Sequence, residues 1–277
     1  MKELYETGER PKRALLIGVR DAAMSQDEAD SLAGELAGLA AALEVEIAAR
    51  EMVHIRENHS KFGMGTGKAR ELAEKAISLG VDCLILDGEP SPSQQRNWER
   101  LAGIPLVDRR ELIIRIFSVR AKTREAELQA ALAELSYALP RLGHRYIDLA
   151  RQRGGRYGTR GAGETMLEMD RRLVRNRIHR LEEELREIRK HRAVRRKKRE
   201  KSSIPSCALV GYTNAGKSSL LNAMTGANVP VEDKLFATLD AATRMVPGKR
   251  PFLLTDTVGF IRRLPPDLVR AFRSTLE

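Results

Sequence analysis

A chain of 277 residues with 49 Lys+Arg, 38 Asp+Glu and a net charge of +11 has the length of two or three domains. Its 42% hydrophobic and 31% charged residues describe a soluble, helix-rich globular protein, and no apolar run has the roughly 18 residues that a membrane-spanning helix needs. Cys83 and Cys207 both lie in apolar, strand-like runs. Buried reduced thiols are therefore expected rather than a disulfide or a metal site, and with them a reducing, cytoplasmic setting. Met1-Lys-Glu-Leu-Tyr-Glu6 has no signal-peptide pattern, and the five histidines offer no metal spacing. A monomer is expected.

Residues 1–118 alternate strand and helix. Ala14–Val19 predicts a strand, Ser25–Leu43 an Ala/Leu-rich helix, Val45–Ala48 a strand, Lys68–Leu79 a helix and Val81–Leu86 a third strand. Ser91 and Pro92 open a helix as N-cap and first residue, and Ile104–Val107 predicts a fourth strand. Alternation of this kind predicts a small parallel α/β sheet. Gly63-Met-Gly-Thr-Gly-Lys68, on the loop before the second helix, reads either as a tight turn into that helix or as a second phosphate site.

Residues 119–200 predict a long antiparallel helical hairpin. The pattern is helical and continuous from about Arg109 to Leu142, and Leu128, Leu132, Leu135, Leu139 and Leu142 form an a/d stripe. A second helix is expected from about Glu164 to Arg199, with Val174, Ile178, Leu181, Leu185 and Ile188 on one face. The connection between them, Arg151 to Thr165, is Gly-rich and carries Arg151, Arg153, Arg156 and Arg160. Residues 141–201 hold 21 Lys+Arg against 9 Asp+Glu, a net of +12, so the rest of the chain has a net of −1. A basic excess confined to one segment is the footprint of a polyanion, and few aromatics there favour backbone contact to structured RNA over base stacking. Arg189–Lys201, with nine basic residues against Glu200, reads equally as a solvated helix end and linker.

Residues 204–277 carry the chemistry. Gly211-Tyr212-Thr213-Asn214-Ala215-Gly216-Lys217-Ser218 satisfies G-x-x-x-x-G-K-[ST] between a strand-like run, Ser206–Val210, expected to be buried, and a helix-like run. A Gly-rich turn there aims backbone N–H groups and the positive helix end at a phosphate. Lys217 would reach the β/γ-phosphates, and Ser218 would ligate Mg²⁺. Two segments follow. Phe236-Ala237-Thr238-Leu239-Asp240 offers Thr238 to Mg²⁺ and the γ-phosphate. Asp256-Thr257-Val258-Gly259 places Asp256 to hold Mg²⁺ through water and Gly259 to bring an N–H to the γ-phosphate. Together they form the phosphate-and-magnesium half of a GTPase site, with Lys217, Thr238 and Gly259 as its catalytic members. Phe260 cannot orient water as a Gln would. Backbone, a partner or a potassium ion at Asn214 would have to; Asn214 reads equally as a loop-stabilising side chain. Strands are expected at 206–210, about 241–246 and 251–256. No Asn-Lys-x-Asp guanine motif occurs in the 277 residues, and the last domain reads as incomplete, its base selectivity weakened.

Ser91-Pro-Ser-Gln-Gln-Arg-Asn97, Arg120-Ala-Lys-Thr-Arg-Glu125, Gly158-Thr-Arg-Gly-Ala-Gly-Glu-Thr165, Gly211–Ser218, Phe236–Asp240 and Asp256–Phe260 give the chain a specific resemblance to the HflX family of ribosome-associated GTPases. Ala241 departs from it, standing where the family usually has Pro. The resemblance implies an α/β chain made of a small parallel domain, a helical hairpin and a P-loop GTPase domain. It implies GTP as substrate with Mg²⁺, and binding to the large ribosomal subunit and its rRNA, the hairpin tip approaching the peptidyl-transferase region. It further implies a role in splitting or rescuing stalled ribosomes. Some members bind ATP through the N-terminal region, which makes Gly63–Lys68 a candidate there. The competing readings are an rRNA-binding protein with an inert nucleotide domain and an ATP-driven P-loop enzyme.

Overall fold

The computed structural model describes residues 12–144, 160–200, 204–227, 235–236 and 242–264. The chain divides into two compact units, residues 1–113 and 114–277, and each is described by itself.

The first unit contains β1 (Arg13–Asp21), α1 (Gln26–Ala42), β2 (Glu46–Ile55), α2 (Thr66–Leu79), β3 (Cys83–Leu86), α3 (Pro92–Ala102) and β4 (Leu106–Asp108). All strand pairs are parallel, in the order β2-β1-β3-β4. Ala14–Ile17 of β1 and all of β3 are buried, as continuous apolar runs must be when both sheet faces are covered. Leu15, Ile17, Val53, Leu84, Leu86 and Leu106 pack with Leu72 and Ala76 of α2 and Trp98 and Ala102 of α3. Met52, the neighbour of Val53, points the other way and packs on Met24, Ala29 and Leu32 at α1, following the two-residue period of a strand. β2 runs seven residues beyond the expected Val45–Ala48, to Ile55, because it pairs along the whole of β1. Its Arg50, Glu51 and His54 hide the strand from a hydrophobicity reading.

α3 fixes the loop that precedes α2. Ser91 and Gln94 form a reciprocal capping box, with Ser91 Oγ accepting from Gln94 N at 3.2 Å and Gln94 Oε1 accepting from Ser91 N at 2.9 Å. From the first turns of the helix, Gln94 donates to the His59 carbonyl (3.1 Å), Asn97 to that of Lys61 (2.8 Å) and the Trp98 indole to that of Phe62 (3.0 Å). Beyond β4, Asp108 caps α4 (Arg109–Arg120) by accepting from Glu111 N at 2.7 Å. Buried Arg109 pairs with Asp87 at 3.2 Å and with Glu35.

In the second unit the expected continuous helix to Leu142 is broken. Thr123 interrupts it and caps α5 (Arg124–Ala138), its hydroxyl accepting from Ala126 N at 3.2 Å. Pro140 then ends α5, since its ring removes an N–H and disfavours helix before it; Leu139–His144 continues as a 3₁₀ turn. α6 (Arg160–Glu200) begins earlier than expected, so Arg160 stands on the helix rather than in the connection. Leu128, Leu132 and Leu135 of α5 pack against Leu181, Leu185 and Ile188 of α6. Arg124 pairs with Glu184 at 2.6 Å and Glu125 with Arg192 at 3.0 Å, which puts the start of α5 beside the C-terminal half of α6. Arg151, Arg153 and Arg156 lie outside the described residues.

The rest of that unit contains β5 (Ser206–Leu209), α7 (Lys217–Thr225), β6 (Ala242–Val246) and β7 (Phe252–Asp256), with sheet order β5-β7-β6. β5 runs parallel to β7 and β6 antiparallel to it. Leu221, Val246 and Leu254 form the core beneath α7. β5 is not the buried strand its sequence suggests: Ser206, Cys207 and Ala208 are exposed. Among the described residues β5 pairs only with β7, so it is an edge.

Trp98 is fully buried, meets Phe62 edge-to-face at 5.5 Å and spends its N–H on the loop. Trp98→Ala should destabilise the first unit by about 3–5 kcal/mol. Urea unfolding followed by circular dichroism measures this; a loss well below that range would contradict the clamp.

Candidate functional site

Two loops leave the ends of adjacent parallel strands side by side. Register pairs Leu209 with Asp256, so the Gly211–Ser218 loop and the Asp256–Phe260 loop start level. The first loop turns through Asn214 (φ 59°) and Gly216 (φ 81°) into α7. Gly216, at the N-cap of α7, has no side chain with which to cap the helix. The second loop lies directly on the first. Phe260 N donates to Gly211 O at 3.0 Å and Thr213 N to Phe260 O at 2.8 Å. A Cβ at Gly259 would lie 2.6 Å from Thr213 Cα and 2.7 Å from Thr213 N. Both are backbone atoms, so only glycine fits.

Lys217 Nζ donates to Tyr212 O at 2.6 Å. Burial lowers its pKa from the usual lysine value, and the charge of Asp256 opposes that shift. Asp256 is fully buried. Its Oδ2 accepts from Ser218 Oγ at 2.5 Å, and its Oδ1 has no hydrogen-bond partner among the described residues. A hydroxyl beside a carboxylate with an open oxygen is a donor set for a hard cation. Buried Thr257 spends its hydroxyl on Leu209 O at 2.6 Å, tying the loop back to β5. Tyr212 and Phe260 leave their rings exposed.

Of the Phe236–Asp240 segment, Phe236 is described and Ala237, Thr238, Leu239 and Asp240 lie outside the described residues. Phe236 has φ 57°, which costs a bulky residue about 1–3 kcal/mol. Its ring is only 2% exposed and meets Phe117 of α4 edge-to-face at 4.8 Å. The sequence marks Phe117 only as an aromatic on the otherwise aliphatic face of α4. The structure thus brings together Gly211–Ser218 and Asp256–Gly259. Among the described residues no cluster of three or more His, Cys, Asp or Glu forms a metal cage, and no helix is long and apolar enough to cross a membrane.

A parallel α/β unit, a helix pair and a strand–loop–helix phosphate motif backed by an Asp-x-x-Gly loop define the P-loop GTPase class of fold. Family models agree: "GTP-binding GTPase N-terminal" matches residues 30–118, "GTP-binding GTPase Middle Region" residues 120–199 and "50S ribosome-binding GTPase" residues 206–277. The chain is 46% identical over 286 residues to the GTPase HflX of Akkermansia muciniphila, covering 100% of this chain and 65% of that protein. It is 42% identical to the GTPase HflX of Spirochaeta thermophila, covering 99% and 67%. Against that of Escherichia coli K12 it is 48% identical over 221 residues, covering 79% and 52%. The chain belongs to the HflX GTPase family. It spans 65% and 63% of the first two curated relatives' lengths. Among solved structures, SsGBP in complex with GDP aligns over 96% of this chain and 68% of that one, with a TM-score of 0.53 and 26% identity. A GTP-binding protein from Sulfolobus solfataricus in complex with GDP aligns over 96% and 66%, at 0.51 and 25%.

Gly259→Ala should push the two loops apart. Amide exchange at Thr213 and Phe260 should quicken by about tenfold, the equivalent of one lost hydrogen bond each. Unchanged protection at both amides would show that the contact does not hold the loops.

Proposed function

We propose that the chain binds and hydrolyses GTP with Mg²⁺ and acts on the large ribosomal subunit, in the splitting or rescue of stalled ribosomes. The observation that carries the nucleotide half is the meeting of Lys217, Ser218, Asp256 and the glycine-only contact at Gly259 around the start of α7. Its similarity to HflX GTPases and to two proteins solved in complex with GDP supports guanine as the base. The match of residues 206–277 to the 50S ribosome-binding GTPase family supports the ribosome as partner, and the net +12 of residues 141–201 suits rRNA.

The roles follow from chemistry. Backbone N–H groups of Gly211–Ser218 and the positive end of α7 receive the phosphates. The Lys217 ammonium has three donors and spends one on Tyr212 O, leaving two for the β- and γ-phosphates. A polyanion there offsets the burial that lowers its pKa. Ser218 and Asp256 fit Mg²⁺, because the carboxylate has an unpartnered buried oxygen beside the hydroxyl. When bound, Mg²⁺ neutralises charge on the phosphate oxygens. Thr238 is assigned to the γ-phosphate and metal, and Gly259 offers its N–H to the γ-phosphate. The Phe260 ring cannot hydrogen-bond the attacking water, so a partner, backbone or a potassium ion beside Asn214 performs that task. Arg151, Arg153, Arg156 and Arg160 are assigned to rRNA phosphates. The chain acts as a cytoplasmic monomer made of three domains, 1–118, 119–200 and 204–277.

Lys217→Ala should lower nucleotide affinity by at least about tenfold, since a charged hydrogen bond contributes about 1.5–3 kcal/mol. Its melting temperature should match wild type, because the lysine is no part of the apolar core. Nucleotide titration beside thermal melting tests this; undiminished binding would remove Lys217 from the site.

Replacing Arg153, Arg156 and Arg160 together with Ala should weaken large-subunit binding more than replacing Arg195, Arg196 and Arg199. Wild-type binding should also fall steeply with salt. Subunit pelleting at several salt concentrations measures both. Equal pelleting by the Arg153/Arg156/Arg160 variant and wild type would move the contact to the basic run.

A further inference from the structure

The hairpin β6–β7 carries charge that the phosphate site does not use. Its strands pair antiparallel from Ala242–Asp256 to Val246–Phe252, and the turn between them, Pro247-Gly248-Lys249-Arg250-Pro251, is exposed throughout. Lys249 and Arg250 stand in the turn, and exposed Arg244 on β6, the last strand of the sheet. Arg244 spends one N–H on the Thr243 carbonyl at 2.9 Å. None of the three forms an ion pair among the described residues. The described residues of 204–264 include six basic residues and one acid, Asp256, which is fully buried. Cations with no exposed carboxylate beside them are left for an external anion to neutralise.

The tip is also stiff. Pro247 and Pro251 fix φ at both ends of the turn, and Thr243 and Thr255 share a hydroxyl hydrogen bond of 2.9 Å across the strands. Ordering it on a partner therefore costs little conformational entropy. The turn has no aromatic or large apolar side chain of the kind that anchors protein interfaces, so its chemistry is that of phosphate contact.

We propose that the β6–β7 hairpin, through Arg244, Lys249 and Arg250, is a contact for the phosphate backbone of double-stranded RNA. The proposal extends the ribosome reading to a surface outside residues 141–201. The turn lies at the amino end of β7, whereas the phosphate site lies at its carboxyl end, from Asp256 to Gly259. The five residues of the strand separate them by roughly 17 Å, so RNA and nucleotide bind without competing. Contact to phosphate is indifferent to base sequence and steep in salt.

The test uses the 277-residue chain, the neutral variant Lys249→Gln/Arg250→Gln and the reversed variant Lys249→Glu/Arg250→Glu. A control, Arg56→Glu/Arg70→Glu, reverses two exposed cations of the first unit for the same change in net charge. Two fluorescent RNA duplexes of unrelated sequence are titrated at several salt concentrations. Large subunits are pelleted, and GDP binding is titrated alongside. The neutral variant should bind both duplexes at least about tenfold more weakly near 0.1 M salt, and its log–log salt slope should fall by about two. The reversed variant should lose more and the control far less, with GDP affinity unchanged in all. Undiminished duplex binding by the reversed variant, an equal loss in the control, a loss confined to one duplex or a parallel loss of GDP affinity would overturn the proposal. So would competition by polyglutamate as strong as that by unlabelled duplex, which points to an acidic protein partner instead. If wild type binds duplex but does not pellet with subunits, the ribosome reading fails and the variants still decide the hairpin. If wild type binds neither, both fall.

Discussion

At Gly259 two backbone segments touch with no room for a side chain between them, and the arrangement of the nucleotide half follows from that contact. β5 and β7 run parallel with Leu209 opposite Asp256, so their loops emerge level at the carboxyl end of the sheet, where open α/β sheets place their ligands. The approach of Gly259 to Thr213 closes the two loops into one surface, and the paired amides of Phe260 and Thr213 fasten it. Thr257 adds a third tie by spending a buried hydroxyl on the β5 carbonyl. Asp256 and Ser218 meet because both loops are pinned; without the pinning, 38 residues of chain separate them.

The electrostatics are arranged for a ligand that brings both signs of charge. A buried carboxylate with one oxygen unpartnered among the described residues is costly in a folded core. So is a lysine whose burial lowers its pKa. Each partly offsets the other, and a phosphate–cation pair would satisfy both, the anion at Lys217 and the cation at Asp256 and Ser218. A lysine perturbed in this way beside a buried carboxylate is characteristic of functional sites.

Much of this was readable in advance, for physical reasons. The phosphate loop was legible because cradling a phosphate fixes glycine, lysine and hydroxyl at set spacings. The α/β alternation was legible because a doubly covered parallel strand must be apolar throughout, as Ala14–Ile17 is. β2 was read too short because an edge strand tolerates Arg50 and Glu51. Cys207 was read as buried because a short apolar run does not say whether neighbours cover it; as an edge strand, β5 leaves it exposed. The break at Thr123 is overridden in the sequence by the helical apolar pattern before it and the leucine periodicity after it. Phe117 was invisible, since its pairing with Phe236 joins positions far apart in the chain.

The residues that mark the family are not all residues that touch a ligand. Ser91–Asn97 was a carrying motif of the resemblance, yet its chemistry is spent inside the first unit. Ser91 and Gln94 cap α3; Gln94 and Asn97, with the neighbouring Trp98, hold the carbonyls of His59, Lys61 and Phe62. That clamp also bears on the two readings of Gly63–Lys68. Phe62 and Met64 are buried in the core, Gly63 takes φ 78° beside them, and Lys68 pairs with Glu71 at 2.6 Å. Packing and one ion pair account for the shape of this loop, so the tight-turn reading suffices there. At Gly211–Ser218 packing does not suffice, because the buried Asp256 oxygen beside Ser218 has no partner among the described residues. Both helices start at a glycine without a side-chain cap, so the second loop is marked by the buried carboxylate oxygen left open beside Ser218.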